Sequence, residues 1–268
     1  MSFRRMRHVK AREFQGCDVA FDFSNPATLY DATSGGSLVA ANGAIARAND
    51  VSGGSAHATQ GTSGNRPSRR VAVISGNDAA LFANASEHSL SAGDVGDMLT
   101  VGIEACVVHK KVSSSQYPQI FGKLKASTGQ GHWGFYVGTD APAKHIFYAS
   151  DTVSIRKADG PSNNTNAEVL FGYNARIAGT NANKVGLIKN ASTLYESAAY
   201  TADTSTSLNT TTILMIGMLA DTAGTAALGV VGAYDGYVGE AAKWSGTFTT
   251  AQRARFSGSR CRKWRIAS

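Results

Sequence analysis

Over much of the chain apolar residues alternate with polar ones, at the period of two that belongs to β-strands. Between residues 98 and 109, Leu99, Val101, Ile103, Ala105 and Val107 fall on one face and Thr100, Gly102 and Glu104 on the other. A helix of that length would scatter these positions around its axis. An earlier run sets Val19, Phe21 and Phe23 against Asp18, Ala20 and Asp22, and Asn25-Pro26 ends it. Residues 32–68 are rich in Gly, Ser, Asn and Ala, which predicts short edge strands and loops. Further strands are expected at 69–75, 117–124, 131–138, 144–150, 152–158 and 168–177. The segments NKVGLIKN, STLYESAAY, TTILMIGM and GYVGEAAKW continue the series. The 117–124 run follows the 98–109 run as a hairpin partner would. In all there are roughly a dozen strand-like runs about 8–15 residues apart, the pattern of an all-β sandwich or barrel.

One helix is expected, at 249–266. Thr249 stands three residues before Gln252, the spacing of a capping box. Phe256, Cys261 and Trp264 would dock on the sandwich and leave the arginines facing outward. Gly258 weakens this helix by about 1 kcal/mol relative to alanine, which predicts a short or bent element.

Composition narrows the class without changing it. Of the 268 residues, 43% are hydrophobic and 17% charged, which suits a globular domain. No apolar run approaches the roughly 18 residues that span a bilayer, and the basic start lacks the apolar stretch of a secretory signal. The expectation is therefore synthesis in the cytoplasm, without a membrane role. Cys17, Cys106 and Cys261 lie far apart in the sequence and read as buried free thiols rather than a disulfide framework.

Charge is unevenly placed. Arg4, Arg5, Arg7, Lys10 and Arg12 crowd the first twelve residues without an acid, and six basic residues fall after 248, again without an acid. The chain carries +7 overall, yet its middle is mildly acidic. This separates a basic arm, residues 1–16, from a body spanning 17–268, and marks the arm as a docking element for an acidic partner. Nucleic acid is not expected, because no binding motif and no aromatic interleaving accompany the charge.

Three stretches carry a family resemblance. AHATQGTSGNRP at 56–67, the opening GCDVAFDFSNPATLYDATSG and the closing YDGYVGEAAKWSGTFTTAQRARFSGSRCRKWRI resemble the laminin G-like jelly-roll modules of phage and bacterial proteins, within the concanavalin A-like lectin/glucanase superfamily. KVGLIKNASTLYE followed by TTILMIGM resembles the family's internal hairpin and following strand. The resemblance covers roughly residues 17–266 and implies two antiparallel sheets stacked face to face as a jelly roll. It leaves function open, since such folds host lectins, glycosidases and structural domains.

The residues yield no catalytic set. A retaining glycosidase needs two carboxylates about 5–5.5 Å apart. Glu104, Glu168 and Glu240 each lack a same-face acid two or four residues away, and Asp235 and Glu240 fall on opposite faces of a regular strand. No nucleophile elbow, phosphate loop or close histidine pair is present, so neither a metal nor another cofactor is expected. His57 reads as a turn-stabilising residue. Sugar binding would use exposed aromatics: Tyr136, on the face opposite Trp133, and the loop residues Tyr117 and Tyr234. The expectation is a non-enzymatic structural protein of a bacteriophage virion, a capsid decoration or tail/fibre component that self-associates and docks on capsid or tail subunits through its arm. The alternative is a carbohydrate-binding module for host surface glycans.

Overall fold

The computed structural model describes residues 16–97, 102–113, 118–124, 132–137, 144–150, 155–162, 166–174, 184–198, 210–221, 223–229 and 232–268. They form two antiparallel sheets and a C-terminal helix. One sheet comprises β1 (Val19–Asp22), β5 (Ser68–Ile74), β6 (Asn77–Phe82), β8 (Ile103–Lys111), β13 (Ala167–Asn174), β14 (Val185–Lys189), β15 (Thr193–Glu196) and β17 (Gly236–Ser245). Its order is β15-β14-β13-β8-β17-β6-β5, with β1 also paired to β17. The other comprises β2 (Leu29–Tyr30), β3 (Arg47–Ala48), β4 (Ala58–Thr59), β7 (Leu90–Ser91), β9 (Gln119–Lys123), β10 (Trp133–Val137), β11 (Lys144–Ser150), β12 (Ile155–Ser162) and β16 (Met215–Ile216). Its order is β12-β11-β10-β9-β16-β7-β4-β3-β2.

The main core lies between the sheets. Val19, Phe21, Ala105, Val107, Leu170 and Val238 meet Phe121, Trp133, Phe135, Phe147 and Ile216 across it. Phe135 and Phe147, cross-strand partners, hold their ring centroids 4.8 Å apart. Within the described residues each expected run contains a strand, with one difference in pairing. β9 does not form a hairpin with β8, because both edges of β8 are taken by β13 and β17. β9 pairs with β10 and β16 in the opposite sheet. The Asn25-Pro26 break is a single 3-10 turn whose Asn25 side chain accepts a hydrogen bond from the Ala27 amide.

Helix α1 (Thr250–Trp264) covers the outer face of the eight-stranded sheet. Thr249 accepts from the Gln252 amide, and the Gln252 side chain accepts from the Thr249 amide, completing the capping box. The helix runs through Gly258 as one 15-residue element, where a short or bent one was expected. Its buried stripe is Arg253, Ser257, Arg260, Cys261 and Trp264, at the spacing of one helical face. The expectation that the arginines face outward is thus corrected for Arg253 and Arg260. The cause is carboxylates on the sheet beneath. Arg253 donates from Nε and Nη2 to Glu104, with the Nη2 contact at 2.7 Å, and its guanidinium lies 3.6 Å from the Tyr173 ring centroid. Arg260 Nε lies 2.9 Å from Glu240 Oε2, and Lys263 bonds both Glu240 and Asp22. Glu104 is therefore buried on a face that alternation alone would leave to solvent, and β8 is buried on both sides.

β17 carries a bulge between Val238 and Glu240. The extra residue, Gly239, lies under the indole of Trp264, where a Cβ would meet ring carbons at 2.4 Å. The bulge also shifts strand parity, so Asp235 and Glu240 do not alternate as they would in a regular strand. Among the described residues no helix is long and apolar enough to cross a membrane.

Candidate functional site

With α1 over the eight-stranded sheet, the outer face of the nine-stranded sheet remains to present side chains. On β10, Trp133, Phe135 and Val137 point into the core, which places Tyr136 on the outer face. On β11, Phe147 and Ala149 point inward and Tyr148 outward. Both tyrosines are half-buried, and their rings meet edge-on with centroids 6.4 Å apart. Gly134 is the direct cross-strand partner of Tyr148 and adds no side chain beside it. On β12, Lys157 is the partner of Tyr148 and Asp159 that of Ile146, and the two charged groups pair at 3.5 Å. The result is a ring pair bordered by one cation and one anion.

The other tyrosines named from the sequence fare differently. Tyr234 is fully buried, so its candidacy as a sugar-stacking loop residue is corrected. Its amide bonds the Gly217 carbonyl, which folds the ring into the core ahead of β17. Tyr117 lies outside the described residues, as do Arg4, Arg5, Arg7, Lys10 and Arg12 of the arm. His57 holds a turn as expected: its Nδ1 accepts from the Asp50 amide at 3.2 Å. In the same signature, Arg66 donates to the carbonyls of Gln60, Gly61 and Asp31 and fixes the loop.

A buried polar cluster went unseen in the sequence. Register pairs Glu168 of β13 with His109 of β8. His145 of β11 enters from the opposite sheet, its Nε2 3.1 Å from Glu168 Oε2. His109 Nε2 lies 3.8 Å from the same oxygen, Lys189 pairs with Oε1, and the Tyr234 hydroxyl sits 2.9 Å from His109 Nδ1. One ligand atom from each of His109, His145 and Glu168 falls within 4.8 Å of the others, a donor set that suits a divalent metal. The surrounding charge does not suit one. Lys189 already neutralises Glu168, and Lys111 adds a second ammonium whose field reaches His109. A dication would enter against two cations in a site of low polarity. The ion pair, Glu168 with Lys189, lies within one sheet, and the contact of His145 with Glu168 ties that sheet to the other.

Burial, reinforced by Lys189 and Lys111, pushes the His109 pKa down from 6.5 to about 3. The folded protein thus keeps His109 neutral at pH values where the unfolded chain binds a proton. Stability contributed this way is complete above pH 6.5 and is lost as pH falls towards 3. Between pH 6.5 and about 5 the loss should reach about 2 kcal/mol. Burial raises the Glu104 carboxyl, which acts in the opposite sense, so a comparison with His109→Asn isolates the histidine. Urea unfolding at both pH values should show a shallower dependence in the variant. Equal slopes would refute this assignment.

The carboxylates considered for glycosidase chemistry are each held by cations: Glu104 by Arg253, Glu168 by Lys189, and Glu240 by Arg260 and Lys263. Pairing of β1 with β17 also sets Asp22 directly opposite Glu240, a cross-strand pair that spacing within one strand could not reveal.

The sequence matches no family model and no curated protein. Solved structures do match the fold. A GH54 α-L-arabinofuranosidase soaked with a cyclic sulfate inhibitor superposes with a TM-score of 0.59 at 11% identity. An arabinofuranosidase complexed with arabinofuranosyl-α-1,2-xylobiose gives 0.59 at 16% identity. In both cases 91% of this chain is covered and 62% of the other, so the chain spans less than two thirds of these relatives' length. The likeness supports the two-sheet antiparallel β-sandwich. It also overturns the exclusion of enzymes made from the sequence, because chains with this sandwich bear the names of glycoside hydrolases. Absence of a short carboxylate motif was a poor ground for that exclusion, as acids on different strands of a sandwich can be brought together by pairing alone.

Proposed function

We propose that this chain is a carbohydrate-recognising β-sandwich whose ligand lies across Tyr136 and Tyr148 on the outer face of the nine-stranded sheet. The observation that carries this reading is the half-exposed ring pair itself, held on adjacent strands of a rigid sheet. Sugar rings offer flat arrays of C–H bonds that stack on aromatic faces, while the phenol hydroxyls bond their oxygens. Lys157 and Asp159 supply a donor and an acceptor at the border of the pair. Support also comes from the fold, shared with an arabinofuranosidase bound to an arabinose-substituted xylobiose, which makes arabinoxylan the first polysaccharide to try. This reading takes up the glycan-binding alternative of the sequence analysis. The virion reading keeps the charge of the basic arm as its support.

Affinity electrophoresis through arabinoxylan, with a gel lacking polysaccharide as reference, tests the proposal. Retardation is expected, and Tyr136→Ala or Tyr148→Ala should weaken it about tenfold. Assay of reducing ends released from the same arabinoxylan reads hydrolysis alongside binding. Retardation that survives in both tyrosine variants would move the site elsewhere.

A further inference from the structure

On the opposite side of the sandwich a cavity of about 430 Å3 opens between the β5–β6 turn and the ends of β8 and β13. Its walls include Ser75, Lys110, Lys111 and Asn166, and among the lining residues none is acidic. That volume falls within the range of roughly 300–1,000 Å3 typical of small-ligand pockets. Strand alternation puts Lys110 on the outer face of the sheet, beside Tyr237, its cross-strand partner. The Lys110 ammonium reaches the carbonyl of Val73, itself a wall residue, at 3.5 Å, which places the charge at the cavity. The same alternation turns the Lys111 side chain inward, where it is 9% exposed and its field reaches His109.

Every other strongly buried cation of the described structure has an acid: Lys123 has Asp94 and Asp97, Lys243 has Asp18, Arg253 has Glu104 and Arg260 has Glu240. Lys110 and Lys111 have no acidic partner among the described residues. The Asp235 carbonyl accepts from the Val112 amide, while its carboxylate keeps its charge, accepts from the Ser113 hydroxyl and is not part of the wall. Glu168 follows the wall residue Ala167 and is paired with Lys189. A concavity with the Lys110 ammonium at its wall and no acid there attracts negative charge.

We infer that this cavity is a second binding site, one that takes the carboxylate of an acidic sugar. Lys110 bonds the carboxylate, while the Ser75 hydroxyl and the Asn166 amide face the ring hydroxyls. The site is independent of the tyrosine pair, which lies on the other sheet, and each can fail without the other.

Calorimetric titration of the full chain with D-galacturonate, and with D-galactose as its uncharged counterpart, tests the inference. Galacturonate should bind and galactose should bind at least about tenfold more weakly, the difference a charge-assisted hydrogen bond makes. Lys110→Gln, its fold checked by an unchanged melting temperature, should weaken galacturonate about tenfold, whereas Tyr136→Ala should leave it unaltered. Should Lys110→Gln fail to fold, Lys110→Arg keeps the charge and should retain binding. Inorganic sulfate that competes with galacturonate supports a shared anion locus. Sulfate binding with none by galacturonate would mean an adventitious ion only and would overturn the sugar assignment. So would equal binding of galactose, or galacturonate binding unchanged by Lys110→Gln.

Discussion

Glu104→Ala should destabilise the protein by about 3–5 kcal/mol, the cost of leaving one member of a buried ion pair without its partner. Glu104 is fully buried and satisfies three groups at once: two guanidinium nitrogens of Arg253 and the amide of Phe248, which leads into the helix. Removing it strands the Arg253 charge between the helix and Tyr173 and frees an amide at the helix entrance. Replacing both partners together, as Glu104→Leu with Arg253→Met, should recover most of the loss, because the pair's own net contribution is small once desolvation is counted. Urea unfolding of the single and double variants checks both statements. A single variant within about 1 kcal/mol of the parent would show that the helix is held by its apolar contacts alone.

The second large effect is expected at Gly239. Alanine there would drive its Cβ into the six-membered ring of Trp264, which is fully buried and cannot swing aside. Overpacking of this kind costs about 1–3 kcal/mol. The strain falls on the helix's final turn, so lost near-ultraviolet signal from Trp264 should accompany the drop in melting temperature. Trp264→Leu in the same chain should relieve the clash, and a destabilisation indifferent to residue 264 would place the cause in the bulge itself.

Much of the architecture was readable from the chain because period-two alternation reports directly on a sheet with one covered face. The assignment of Trp133 to the core and of Tyr136 to the opposite face follows from that rule, as does the first strand at Val19–Asp22. The rule fails where both faces are covered. Glu104 looked like a solvent-facing residue because nothing local announces a helix arriving from residue 250 onward. Arg253 and Arg260 looked outward for the complementary reason: a polarity pattern treats every arginine as a surface residue until its carboxylate is known. β9 looked like a hairpin partner of β8 because closeness in sequence is usually closeness in a sheet, yet the chain crosses to the other layer. The His109, His145 and Glu168 cluster could not be read from spacing, since its members come from three strands in two sheets. The lysine-lined cavity was hidden in the same way, its walls being drawn from three separate segments.

The closure of β1 on β17 has a consequence for the growing chain. Asp18 and Lys243, which pair at that seam, stand 225 positions apart. Ribosomes add about 5–20 residues per second, so the first strand waits roughly 10–45 s for the one that completes it. Throughout that time the backbone edge of Val19–Asp22 that later pairs with β17 stays open. An unpaired strand edge is a template for other chains, so yield should depend on translation speed and holdase capacity more than on the stability of the finished sandwich.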